Sequence, residues 1–211
     1  KGALLYGCID SHPGFYSGTV KVKEDRSFMN VTFRLPNPDL DGAESAIVTA
    51  LELVEDKVGA YWKILGRVSF ARGDRALAAR QAANTFKSHF SDAEVKFRDA
   101  MKLDPKDPET LWMYGWAKEL QEYPKKARAA YEKSMADFPA EPGGYRRLGA
   151  MISNVANQTG GGQNEDADKI RAKALEIFDK GIEKAGPDAE LYYLRGLALE
   201  WAKKEDEAKE S

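Results

Sequence analysis

The side chains able to do chemistry are few and scattered. Cys8 is the single cysteine and His12 and His89 are the two histidines, so no disulfide can close within the chain and no Cys/His zinc set can assemble. Neither histidine stands in a recognisable nucleophile motif. Gly160-Gly161-Gly162 lacks both the Gly-Lys-Ser/Thr ending and the preceding strand of a phosphate-cradling loop, and reads as a plain loop. Glu165-Asp166 and Glu205-Asp206-Glu207 read as solvated helix faces rather than acid/base pairs. No catalytic residue, metal site or cofactor is therefore expected. Recognition chemistry is better supplied. Trp112 and Trp116 lie one helical turn apart and share a face. That face either receives a ligand or packs against a neighbouring helix.

The elements that must carry these residues follow from composition and periodicity. The 211 residues hold 32 Lys plus Arg against 34 Asp plus Glu, a net charge of -2, which excludes a broad basic surface for coating nucleic acid. With 43% hydrophobic and 31% charged residues the chain can bury a core beneath a solvated surface. No run approaches the length of a membrane span, and the expectation is a folded protein of the reducing cytoplasm. Tyr16 to Val22 and Phe28 to Leu35 alternate like strands, and the polar run Lys23-Glu24-Asp25-Arg26-Ser27 suits a hairpin connection. Strand is expected only over about 15–36. From Asp41 onward Ala, Leu, Glu and Lys dominate, with apolar residues returning at three and four positions, so the rest reads as helix.

The helical part repeats. Ala93-x3-Phe97-x2-Ala100-x4-Pro105 returns 34 residues later as Ala127-x3-Tyr131-x2-Ser134-x4-Pro139. Leu111-x2-Tyr114-Gly115 and Tyr145-x2-Leu148-Gly149 stand at the same spacing, and Trp62-x2-Leu65-Gly66 and Tyr192-x2-Arg195-Gly196 share their shape. Small residues let helices approach, aromatics fill the layers between them, and Pro105 and Pro139 end the second helices. This pattern resembles the tetratricopeptide repeat family. The resemblance implies a mainly α fold, a solenoid of antiparallel helix pairs, preceded here by a short β-hairpin segment. Two spacings depart from the period and imply insertions near 72–91 and 154–168. The second contains Asn157-Gln158-Thr159-Gly160-Gly161-Gly162-Gln163-Asn164, which reads as a flexible loop.

Residues 1–40, above all Gly14-Phe15-Tyr16-Ser17-Gly18-Thr19-Val20 and Arg26-Ser27-Phe28-Met29-Asn30-Val31-Thr32-Phe33-Arg34-Leu35-Pro36, are similar to the start of the small C-terminal domain of phosphoserine aminotransferase. That family is pyridoxal-phosphate dependent. Its imine lysine lies upstream in the large domain, and no residue of this chain matches it. The domain reading is thus an aminotransferase-like fragment over 1–40 and tetratricopeptide-like repeats over 41–211.

In tetratricopeptide proteins the first helix of each pair lines a concave groove. Carried onto this chain, the resemblance places Trp112 and Trp116 at the fifth and ninth positions of one first helix. Lys63 and Arg67 take the equivalent places in the first repeat, Arg146 and Ala150 in the third, Tyr193 and Leu197 in the fourth. The expected function is a non-enzymatic scaffold that binds a peptide or protein segment through Lys63, Arg67, Trp112, Trp116, Arg146 and Tyr193, with no nucleic acid, membrane or cofactor involved. The alternative is an inactive fragment or fusion of phosphoserine aminotransferase.

Overall fold

The computed structural model describes residues 7–8, 16–21, 28–33, 39–53, 59–158 and 165–201. The chain forms two compact units, residues 1–96 and 97–211. The division at residue 40 drawn above is one of resemblance, and remains a proposal about the origin of the segment.

The first unit begins with an antiparallel sheet of β1 (Gly7–Cys8), β2 (Tyr16–Lys21) and β3 (Phe28–Phe33), in that order. The expected hairpin is present: β2 pairs with β3 from Tyr16↔Phe33 to Lys21↔Phe28. β1 falls outside the expected strand region. Two residues carry no alternation to read, and its pairing through Gly7↔Gly18 and Cys8↔Ser17 is supplied by the neighbouring strand. The connection at 23–27 lies outside the described residues.

Three helices follow in that unit: α1 (Leu40–Leu53), α2 (Gly59–Ala78) and the first part of α3 (Ala83–Leu103). Asp39 starts α1 by accepting from the Gly42 amide at 2.8 Å. Ions tie α1 down: Arg72 pairs with Asp41 and Glu44, and Lys96 Nζ lies 3.6 Å from Glu44. The core lies between α2 and α3, where the Phe70 and Phe90 rings stand 5.1 Å apart. Gly73 allows this approach, since a Cβ there would sit 2.7 Å from Phe90 Cε1. The turn between the helices is a Schellman cap: Arg80 donates to Leu77 and Gln81 to Ala76, both at 2.9 Å, with Arg80 at φ 54°.

The residues inserted near 72–91 are mostly helix. α2 and α3 have 20 and 21 residues, where the second unit's α4 (Pro108–Leu120) and α5 (Pro124–Asp137) have 13 and 14. Each is seven residues longer. Seven residues make about two turns, so the added length returns to the same face and the buried stripe continues.

The second unit continues from α5 with α6 (Pro142–Gln158), α7 (Glu165–Ala185) and α8 (Ala189–Trp201). α4 packs on α5 and α6, and α6 packs on α7 and α8. The repeat's small–aromatic pairs are the contacts within each helix pair. A Cβ on Gly115 would lie 2.7 Å from Tyr131 Cε1, and one on Gly149 would strike the Phe178 ring. Gly181 lies against Tyr145, so α6 and α7 run antiparallel. Tyr131, Phe178 and Leu191 are fully buried. Around the second departure from the period, 154–158 continue α6 and 165–168 begin α7, while 159–164 of the expected loop lie outside the described residues.

Candidate functional site

Asp107 starts α4. Its carboxylate accepts from the Glu109 amide at 3.2 Å and the Thr110 hydroxyl at 2.6 Å, while Pro108 takes the first-turn place that needs no N–H donor. This start sets the phase of the helix, and the Trp112 and Trp116 rings then stand 6.4 Å apart on one side. The side is closed. Both residues are only 6% exposed. Trp112 lies against Gly143 in the first turn of α6, where any side chain would collide with the indole. Its Nε1 is buried without a hydrogen-bond partner. The Arg147 guanidinium stacks 3.4 Å from the Trp116 ring centroid. The expectation that this face stands open is corrected, because small Gly143 and planar Arg147 let α6 settle onto it.

Arg147 belongs to a buried polar chain. Tyr131 donates its hydroxyl to Glu119 Oε2 at 2.7 Å, and Arg147 Nη2 lies 3.9 Å from Glu190 Oε1. Burial pushes the Glu119 carboxyl up, while the Tyr131 hydroxyl and Arg147 pull it down. Burial, then the neighbouring Glu119 charge, drives the Tyr131 phenol well above its ordinary value. Burial likewise lowers the Arg147 guanidinium, with Glu190, Tyr131 and Glu119 raising it.

Arg146 is placed differently from the expected rim cation. It forks onto Asp188, with Nε 2.9 Å from Oδ1, and reaches Glu190 Oε2 at 2.9 Å through Nη1. Asp188 Oδ1 also accepts from the Leu191 amide at 2.9 Å, so Arg146 is bound to the cap of α8. Asp188 and Glu190 were not singled out in the sequence, although Pro187-Asp188 before a helical run is a start signal. Tyr193, at 64% exposure, is the expected residue that faces solvent most openly. Lys63 and Arg67 are half-buried on α2 in the first unit. Cys8 and His12 side chains and the side chain of Trp201 lie outside the described residues.

One contact of nucleophile type appears. Ser69 Oγ lies 2.7 Å from Lys96 Nζ, but Lys96 is also 3.2 Å from Asp92, and Ser69 is 1% exposed, beyond a substrate's reach. It is a buried tie between α2 and α3. Among the described residues no group of three or more His, Cys, Asp and Glu is placed to hold a metal ion, and no helix is long and apolar enough to cross a membrane.

Comparison with known proteins separates the same two parts. No family model matches the chain. The crystal structure of MamA is similar to it at a TM-score of 0.51 and 20% identity, over 82% of this chain and 84% of that one. A thermophilic TPR protein of Thermus thermophilus is similar at a TM-score of 0.50 and 20% identity, over 68% and 69%. At that identity the likeness concerns the fold alone, mainly α and of tetratricopeptide-type antiparallel helix pairs; this chain carries a short N-terminal β segment as well. Short matches point to the second resemblance. A phosphoserine aminotransferase of Shewanella sp. (strain MR-7) is 44% identical over 57 residues, 25% of this chain and 15% of that enzyme. The enzyme of Desulfatibacillum aliphaticivorans is 56% identical over 43 residues, 20% of this chain and 11% of its own length. The chain thus spans about 15% of the length of the curated relatives it matches.

Proposed function

We propose that this chain is a non-enzymatic scaffold that binds an extended peptide or protein segment along the first-helix face of its repeats. The observation that carries the reading is the stack of first helices, α4 on α6 and α6 on α8, which sets Trp112, Arg146 and Tyr193 at one repeat position. A large rigid ring held on a helix is a good interface anchor, because it offers contact area at little entropic cost. Trp112 and Trp116 then serve as the packed floor beneath Arg147, and Arg146 positions α8 instead of meeting the partner. Lys63 and Arg67 hold the corresponding positions of α2 within the first unit.

A synthetic peptide array tests this reading. The folded chain should retain a defined subset of extended peptides. Tyr193→Ala should weaken them by roughly fivefold or more, the threshold of a substantial interface residue, with the helical circular dichroism unchanged. An array on which the folded chain binds nothing would refute it.

The short aminotransferase matches favour a second reading, in which residues 1–40 derive from phosphoserine aminotransferase and the repeats recruit or assemble that enzyme. The imine lysine and phosphate cup of that family lie outside the matched stretch, so no residue here is assigned to pyridoxal phosphate. Transaminase turnover by the purified chain would contradict both readings, since neither assigns it an imine lysine.

A further inference from the structure

On the α6 and α8 face of the second unit the cations are engaged within the fold and a carboxylate is left over. α6 and α8 carry three cations, Arg146, Arg147 and Arg195. Arg146 forks onto Asp188 and reaches Glu190. Arg147 lies 3.9 Å from the same Glu190 while its plane covers Trp116, and Arg195 Nε stands 2.6 Å from Asp179 of α7. Asp188 and Glu190 are occupied by these contacts. Glu200 is exposed near the end of α8 and forms no ion pair among the described residues.

Glu200 shares a side of α8 with Tyr193. Residues 193, 197 and 200 follow at spacings of four and three, so Tyr193, Leu197 and Glu200 form one stripe. Tyr193 is 64% exposed and Leu197 half-buried, and the stripe therefore runs from an open ring over an aliphatic edge to a carboxylate. Ala150 and Asn154 of α6, which border the same hollow as Leu197, are uncharged. About 10 Å of helix axis separates Tyr193 from Glu200. A single small cation cannot meet both.

We infer that this face takes a basic, apolar peptide segment, with an apolar side chain laid on Tyr193 and Leu197 and a lysine or arginine paired with Glu200. The inference rests on the scaffold reading above and names the partner's chemistry. An acidic segment finds no arginine of α6 or α8 that is not already bound to a carboxylate, and Glu200 repels it. Pulling Asp188 away from Arg146 would also disturb the cap it gives the Leu191 amide, which keeps that arginine where it is. In an extended chain, residues two and four places apart share a face and lie about 7 and 14 Å apart, which brackets the length of the stripe. The long stem of lysine or arginine covers the difference. The selected pattern is an apolar residue with a basic residue two or four places away, in either chain direction.

The test uses rhodamine-labelled decapeptides carrying Leu-Ala-Lys, Lys-Ala-Leu or their four-place equivalents, each also made with Gln or Glu in place of the lysine, and fluorescence anisotropy on the full chain at low salt. Lysine peptides should bind roughly threefold tighter than glutamine peptides, the effect of one exposed ion pair, and glutamate peptides should bind weakest. Added salt should compress that order. Glu200→Lys should invert it. Glu176→Lys makes the same change of net charge on the exposed side of α7 and should leave the order as it was. An equal shift from both variants would show that overall charge sets the order, and would overturn the inference. Glutamate peptides binding tightest to the parent chain would overturn it as well. Binding that falls with Tyr193→Ala but ignores peptide charge overturns the basic partner and leaves the groove standing. Failure of every decapeptide to bind overturns the basic partner, and the wider array then decides the groove.

Discussion

Replacing Tyr131 by Phe should produce a stability loss that shrinks at alkaline pH. Tyr131 is fully buried, and its hydroxyl donates to the Glu119 carboxylate at 2.7 Å. A hydrogen bond to a charged group is worth about 1.5–3 kcal/mol, and Tyr131→Phe should cost that much at neutral pH. The folded phenol is held well above its ordinary value of 10.0, by burial first and then by the Glu119 charge. Because the folded-state pKa is raised, the contribution is fully present below the unfolded value and is lost as pH rises from there through the folded value. Between pH 10 and the folded pKa the unfolded chain ionises Tyr131 while the native chain keeps it protonated. The stabilisation then falls by about 1.4 kcal/mol per pH unit. Phenylalanine has no proton to lose, so the gap between variant and parent should narrow along that slope. Urea titrations at pH 7, 10 and 11 measure it. Tyr145, also raised by burial, stays in both proteins and cancels in the difference. A deficit of constant size from pH 7 to 11 would refute the buried, singly protonated Tyr131–Glu119 bond.

Four further outcomes follow from the same packing. Trp116→Ala should cost about 3–5 kcal/mol in chemical denaturation, because it opens a cavity under Arg147 at a site 6% exposed. Arg146→Ala should lower stability by about 2 kcal/mol, less than a fully buried pair, and Arg146→Lys should restore little because it cannot fork onto Asp188. Glu122 holds φ 66° in the turn between α4 and α5, so Glu122→Gly should stabilise by about 1 kcal/mol, read as a higher midpoint of thermal unfolding. Gly115→Leu should cost about 1–3 kcal/mol by driving a side chain into Tyr131, and Tyr131→Ala in the same chain should recover part of that specific strain in a double-mutant cycle.

Local sequence signals determined the helix pairs. Gly115 with Tyr131 and Gly149 with Phe178 are steric couples that recur at a fixed spacing, and each couple needs only two neighbouring helices to be satisfied. The β2–β3 hairpin was legible for the same reason, since alternation is local. The length of α2 and α3 was not legible from the repeat spacing. Seven added residues extend a helix by two turns where each can bury its stripe on the partner, and only the partner's matching length decides that.

The site was less legible because side-chain exposure depends on what arrives from the next repeat. Trp112 and Trp116 share one face by spacing alone, whether that face is open or covered. Tertiary packing decided it, by setting Gly143 under one indole and the Arg147 guanidinium over the other. Arg146 carries a charge in any sequence reading, yet Asp188 and Glu190, far along the chain, determine where that charge is spent. Spacing within one helix orders residues around its axis. Burial and pairing belong to the contacts between helices, and those exist only once the repeats have stacked.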